Sequence, residues 1–250
     1  MDRKQQRKAN CQKWFQKNHL FKGGKDPEFQ RIVESFFCGE ILEYGALTDI
    51  QRALILLATL TASQTIKPLR HYTTAALTVG TPPEAIKEAI YQCTPYIGIE
   101  RVQAALDEIN AAFSAAGLSR NLKAQGNVTE DTRQEAGKSI QEKLFEPQML
   151  AHILNDIPDN MKSFGSYWTA FCCGDFYSRS ALDLATRELL AFCAAASLGV
   201  SNYSLQLHAA ANIRLGTSRD TLIAAVMQCL PFIGFPRASQ ALYCIREVTE

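Results

Sequence analysis

At 250 residues, 47% hydrophobic and 20% charged, the chain can bury one large core or two small ones. A formal net charge of +1 gives no reason to expect nucleic acid or an acidic surface as a partner. No apolar run approaches the roughly 20 residues that cross a bilayer, and the first ten residues lead into no apolar signal region, so no membrane contact and a cytoplasmic location are expected.

The N-terminal basic positions Arg3, Lys4, Arg7, Lys8, Lys13 and Lys17 alternate with Gln, Asn and aromatics, which predicts a solvated amphipathic helix or arm. Residues 48–62 are apolar nearly all round, the mark of a buried helix. A break at Ser63–Thr65 precedes a shorter helix that runs to Gly80, a residue placed to cap it in the left-handed conformation. Thr81 is the expected N-cap of the next helix, with Pro82 and Pro83 in its first turn. That helix ends near Pro95, and another opens around Glu100. Residues 114–137 are polar and contain glycine, so they are the expected connector, although 130–144 also suits a helix. The pattern then returns: a buried helix over 184–198, a break at 199–201, a shorter helix to Gly216, an N-cap at Ser218, and prolines at 231 and 236. Nothing alternates as a strand would, so the fold class is all-α.

That return is a repeat. Residues 80–109 align without gaps on 216–245 with 12 of 30 positions identical, including Gly80/Gly216, Gln92/Gln228, Cys93/Cys229, Pro95/Pro231, Gly98/Gly234 and Arg101/Arg237. Upstream the offset falls by one, and Phe36, Cys38, Gly39, Leu47 and Arg52 meet Phe171, Cys173, Gly174, Leu182 and Arg187. The expected organisation is a first unit at 1–113, a connector at 114–137 and a second unit at 138–250.

Eight cysteines are present, none spaced Cys-x-x-Cys, and most lie in apolar helical runs, as buried small hydrophobes do. Cys172 and Cys173 are too close in the chain for an easy disulfide, and a zinc site needs more ligands nearby, so no metal is expected.

The pattern resembles the carboxymuconolactone decarboxylase family. The resemblance rests on Leu182-x(4)-Arg187-Glu188-Leu189-Leu190, Ser201-x-x-Ser204-x-x-x-His208 and Gly216-Thr217 followed by 231–236 (PFIGFP); in the first half it rests on 26–30 (DPEFQ), 69–72 (LRHY) and Gly80-Thr81 through Tyr96-Ile97-Gly98. It implies two tandem copies of an alkyl hydroperoxidase D-like helical unit forming a pseudo-dimer. It also implies a homo-oligomer, a trimer of such chains making a six-unit ring. One branch of the family reduces peroxides through Cys-x-x-Cys-x-x-x-His. The matching positions here are Ser201, Ser204 and His208, or Thr65, Pro68 and Tyr72, and a hydroxyl cannot cycle through a disulfide. A thiol peroxidase is therefore disfavoured, Cys193 being the one cysteine with a claim to lie near the site. The other branch decarboxylates a carboxylated lactone without a cofactor, using a Leu-Arg-x-His motif. The first copy keeps Arg70 but has Tyr72 at the His position; the second keeps His208 but has Gln206 at the Arg position.

The residues themselves sort as follows. His208 is a proton donor or acceptor or a structural imidazole. Glu188, inside the most apolar helix, must be paired or protonated, as the partner of a cation or as an acid–base group. Arg70 can hold a substrate carboxylate or make a surface ion pair. His71 and Tyr72 can line a pocket or pack; Ser201 suits an N-cap better than a nucleophile and Ser204 a polar first-turn position, and both are expected to touch substrate. The expectation is cofactor-free decarboxylation or proton transfer on a small carboxylated lactone or keto compound. A non-catalytic oligomeric small-molecule-binding protein of the same fold is the alternative.

Overall fold

The computed structural model describes residues 2–17, 19–20 and 25–249, and among these it contains helices and no strand. The first copy runs α1 (Arg3–Phe15), α2 (Pro27–Gly39), α3 (Asp49–Ala62), α4 (Ile66–Thr78), α5 (Pro83–Tyr91), α6 (Thr94–Ile97) and α7 (Ile99–Ala115). The second runs α8 (Arg133–Leu144), α9 (Pro147–Asn155), α10 (Lys162–Tyr167) continued as a π-helix over Trp168–Tyr177, then α11 (Leu184–Leu198), α12 (Asn202–Arg214) and α13 (Arg219–Thr249).

Side-chain caps begin the central helices. Thr48 and Gln51 form a reciprocal capping box at α3, and the Asp183 carboxylate accepts from the Thr186 N–H at 2.7 Å at α11. α4 and α12 stop at Gly80 and Gly216, whose φ angles of 86° and 88° only glycine adopts without strain. Ser218 caps α13, accepting from Thr221 N–H at 3.1 Å, but Thr81 does not cap α5. Pro82 takes the N-cap place there, leaving the Thr81 hydroxyl one residue too early and buried without a partner among the described residues.

α3 and α11 pack on each other at the centre, which explains their all-round apolar character: residues 52–62 and 187–197 are buried throughout. The copies share one core, from Leu54 and Leu57 to Phe192 and Cys229. Each large side chain removed from water there contributes about 1.5–3 kcal/mol. Length and composition alone would let α13 cross a bilayer. Half of its apolar window is buried inside the protein, however, and its backbone breaks at Gly234 (φ 77°).

The repeat extends beyond the identities in the sequence. α1 lies on α2 so closely that a Cβ at Gly39 would sit 2.9 Å from the Arg3 carbonyl oxygen; α8 lies on the π-helix so closely that one at Gly174 would sit 2.2 Å from the Arg133 carbonyl oxygen. α8 thus begins inside the stretch expected as connector and holds the place in the second copy that α1 holds in the first.

Buried polar groups tie the copies. Glu88 of the first copy, 1% exposed, accepts from Arg187 Nη2 at 2.8 Å and from Arg179 Nε and Nη2 at 3.0 and 2.8 Å. Arg187 also donates to Gln92 and to the carbonyls of Arg179 and Ser180. Its counterpart Arg52 makes the matching bonds to Tyr44 and Gly45, where the second copy has Ala224 in place of Glu88. Both copies keep a guanidinium to hold the loop before the central helix. Only one turns it into an ion pair across the pseudo-dimer.

On the first-copy side, the end of α1 drives Phe15 against His71 (4.9 Å, stacked) and Tyr72 (6.0 Å, edge-on), and Phe37 and Phe232 close the same cluster. His71 Nε2 is buried with no partner among the described residues, and burial, followed by the Lys17 charge, lowers its pKa from the ordinary imidazole value.

Two measurements check this packing. Glu88→Gln removes the charge that balances the buried Arg187 and the part-buried Arg179, and denaturant unfolding should report a loss of about 3–5 kcal/mol; Arg70→Ala, which removes only an exposed pair to Glu108, should cost no more than about 1 kcal/mol. Below pH 6.5 the unfolded chain protonates at His71 before the folded chain does, so stability falls as pH falls through that window and is restored above it. Denaturation at pH 7.5 and 5.5 should find His71→Phe losing less than the wild type, by at most about 1.4 kcal/mol per pH unit.

Candidate functional site

Glu188 sits one turn into α11 with 1% exposure, and a carboxylate so enclosed must have its oxygens bonded. Both are. Oε1 lies 2.7 Å from His208 Nδ1 on α12, and Oε2 accepts from the Tyr177 hydroxyl at 2.7 Å. Tyr177 comes from the end of the π-helix, a conformation that is rare and frequent at functional sites. Its oxygen is 2.7 Å from the hydroxyl of Tyr96, at the end of α6 in the first copy. Asn212 fixes the two helices by donating to the carbonyls of Glu188 and His208 at 3.1 and 2.9 Å.

This polarity assigns protons. A carboxylate only accepts, so Nδ1 of His208 carries hydrogen toward Oε1 and Tyr177 donates to Oε2; Tyr96 then donates to Tyr177. The neutral imidazole keeps its lone pair on Nε2, the nitrogen turned away from the carboxylate. Burial, together with the charge of Glu188 among other neighbours, raises the pKa of both tyrosines well above the ordinary phenol value, so they stay protonated.

These groups form part of the wall of a cavity of about 710 Å³, within the range of small-molecule sites. Phe145 at the end of α8, Trp168, Phe171 and Cys172 on the π-helix, Phe164 and Tyr167 on α10, and Pro95 from the first copy give it an aromatic and apolar lining. Gly98 (φ 87°) makes the corner after α6 that lets Tyr96 face this space.

The mirrored place in the first copy is occupied by packed aromatic rings. The alignment puts Phe232 opposite Tyr96, Leu42 opposite Tyr177, Ala53 opposite Glu188 and Tyr72 opposite His208. Tyr96 and His208 stand with ring centroids 5.4 Å apart; Tyr72 and Phe232 stand at 5.6 Å. Cys172, on the cavity wall, corresponds to Phe37, whose buried ring occupies volume that the small thiol leaves open.

The residues singled out in the sequence divide accordingly. His208, Glu188 and Ser204 line the cavity. Ser201 is the N-cap of α12, accepting from Ser204 N–H at 3.2 Å, and its hydroxyl is 3.0 Å from that of Ser204. Arg70 is on the outside of α4, paired with Glu108 at 3.0 Å; His71 and Tyr72 belong to the filled cluster. None of these three is on the wall. Cys193 is wholly buried in the shared core, where a hydrogen bond with Cys229 and burial raise its thiol pKa. Cys173 is likewise raised, through Cys172 and burial. Tyr96 and Tyr177 were missed. The signal was in the repeat: at three site positions the second site is polar where its mirror is Phe, Leu or Ala, and at the fourth His208 faces Tyr72.

Comparison with known proteins agrees with this architecture. The sequence model of the Carboxymuconolactone decarboxylase family matches residues 27–111 and again residues 162–247. The 4-carboxymuconolactone decarboxylase of Acinetobacter baylyi is 22% identical over 121 residues, spanning 48% of this chain and 90% of that protein. With both copies matched over more than half its length, the chain belongs to the carboxymuconolactone decarboxylase family and carries that family's unit twice.

Proposed function

We propose that the protein carries out cofactor-free acid–base chemistry at carbon, decarboxylation or proton transfer, on a small keto or lactone compound. Each chain has one competent site, in the second copy. The observation that supports this most directly is the hydrogen-bonded row Tyr96–Tyr177–Glu188–His208 beside the cavity. An imidazole whose Nδ1 is held by a buried carboxylate has a fixed tautomer and orientation, which general-base catalysis requires. Nε2 of His208 takes a proton from a carbon next to a carbonyl, or returns one to the carbanionic carbon left by CO₂. Glu188 steadies the imidazolium that forms, and Tyr177 and Tyr96 position Glu188. The activity for which the Acinetobacter relative is named supports decarboxylation as one member of this reaction class.

The proposal includes a cytoplasmic homo-oligomer, three two-unit chains forming a ring. Phe164 and Tyr167, 67% and 69% exposed at the rim of the cavity, are apolar surface that such a neighbour would cover.

The test is a panel of keto acids and lactones followed by NMR for C–H to C–D exchange in D₂O and by CO₂ release. His208→Ala should lower turnover by about 10²–10⁴-fold while particle size on gel filtration stays that of the wild type. Full activity in that variant would remove His208 from the mechanism.

A further inference from the structure

Among the described residues, the cavity wall holds no Lys or Arg. Its acidic members are Glu188 and Asp156, and its single basic group, His208, is already paired to Glu188. Of the guanidinium groups on surrounding elements, Arg187 and Arg179 are engaged on Glu88, Arg133 on Asp175 and Arg214 on Glu146, and Arg101, two residues after Ile99, is exposed and off the wall. Arg70, the residue in the first copy that matched a carboxylate-holding position, points to Glu108 on the outside. The rest of the wall is aromatic or aliphatic apart from two hydroxyl residues, Thr94 and Ser204, the tyrosine phenols and the thiols of Cys172 and Cys173.

From this we infer that the cavity selects neutral, apolar carbonyl compounds, such as an aryl or aliphatic ketone or an uncharged lactone, and discriminates against carboxylates. A carboxylate entering here gives up its hydration, gains no fixed cation and meets a wall whose formal charges are negative. A neutral ketone keeps the aromatic contacts and loses little. The inference rests on the proposed site but not on its chemistry. Combined with that chemistry it favours proton transfer over CO₂ loss: Nε2 of His208 accepts the α-proton, the C–H electron pair becomes the C=C bond of the enolate, and the imidazolium returns the proton at carbon. Nothing is oxidised or reduced.

A matched pair of probes tests it: 2-naphthylacetone, a neutral ketone, and 2-naphthylacetate, the carboxylate on the same ring. Calorimetric titration of the full chain at pH 7.5 should find the ketone bound on the order of 100-fold more tightly. Phe171→Arg, a partly exposed wall position, should strengthen acetate binding at least about tenfold. Equal or tighter binding of the carboxylate by the wild type overturns the inference, and so does failure of the ketone to bind. Deuterium uptake at the ketone's methylene, read by NMR, separates the two proposals. If the ketone is preferred but takes up no deuterium, or takes it up equally in His208→Ala, the selectivity stands while the acid–base function falls.

Discussion

A carboxylate that has lost its water must find donors, and Glu188 finds two in different parts of the molecule, with a third group bonded behind one of them. His208 comes from the next helix, Tyr177 from the π-helix before it, and Tyr96 joins through Tyr177 from the other copy. The need to satisfy one buried charge therefore sets the orientation of the imidazole, the end of the π-helix and the angle at which the first copy's Pro95–Gly98 corner meets the second. Replacing Glu188 by the Ala53 of the first copy removes the need for all three. The mirrored place accordingly holds no buried carboxylate and is filled by aromatic rings.

Duplication makes such an asymmetry affordable in structural terms. Two copies built on the same central helix, glycine corner and loop-holding arginine give equivalent scaffolds. Small differences in side-chain volume then decide which place is hollow. Phe37 against Cys172 is one of these on the wall, helped by Tyr72 against His208, and Phe37, Tyr72 and Phe232 pack edge to face where the second copy is hollow. The first copy retains a role by lending Tyr96 and Pro95 to the cavity of the second. The Glu88 cluster is divided the same way: a buried carboxylate of the first copy gathers two arginines of the second, so the pair of copies is held by charge as well as by the shared apolar core.

Much of the architecture was legible in the chain. The buried central helices announce themselves because a helix covered on every side has no polar face, and 48–62 and 184–198 have none. The breaks after them, the glycine stops and the duplication follow from residue types that have few alternative uses. Glu188 was legible as a problem, a charge in an apolar helix, and His208 as a titratable group at a family position. Thr81 was misread because a threonine before two prolines looks like an N-cap; in three dimensions Pro82 occupies that place. α8 was half-hidden because it shares only Arg3/Arg133, Lys8/Lys138, Lys13/Lys143 and Phe15/Phe145 with its counterpart α1, at an offset that only the helix crossings at Gly39 and Gly174 set.

What the linear sequence determined by itself is what depends on neighbours along the chain: the central helices and their glycine stops, the twofold repeat, and the presence of an acid that requires a partner. Only the tertiary structure decided which partner it takes. Arg187, adjacent in sequence, belongs to Glu88 of the other copy, while His208, 20 residues away, and Tyr177, 11 away, converge on Glu188. Cavity and plug are decided there too, because a void is the difference between many side-chain volumes brought together from distant segments, and no local pattern records that sum.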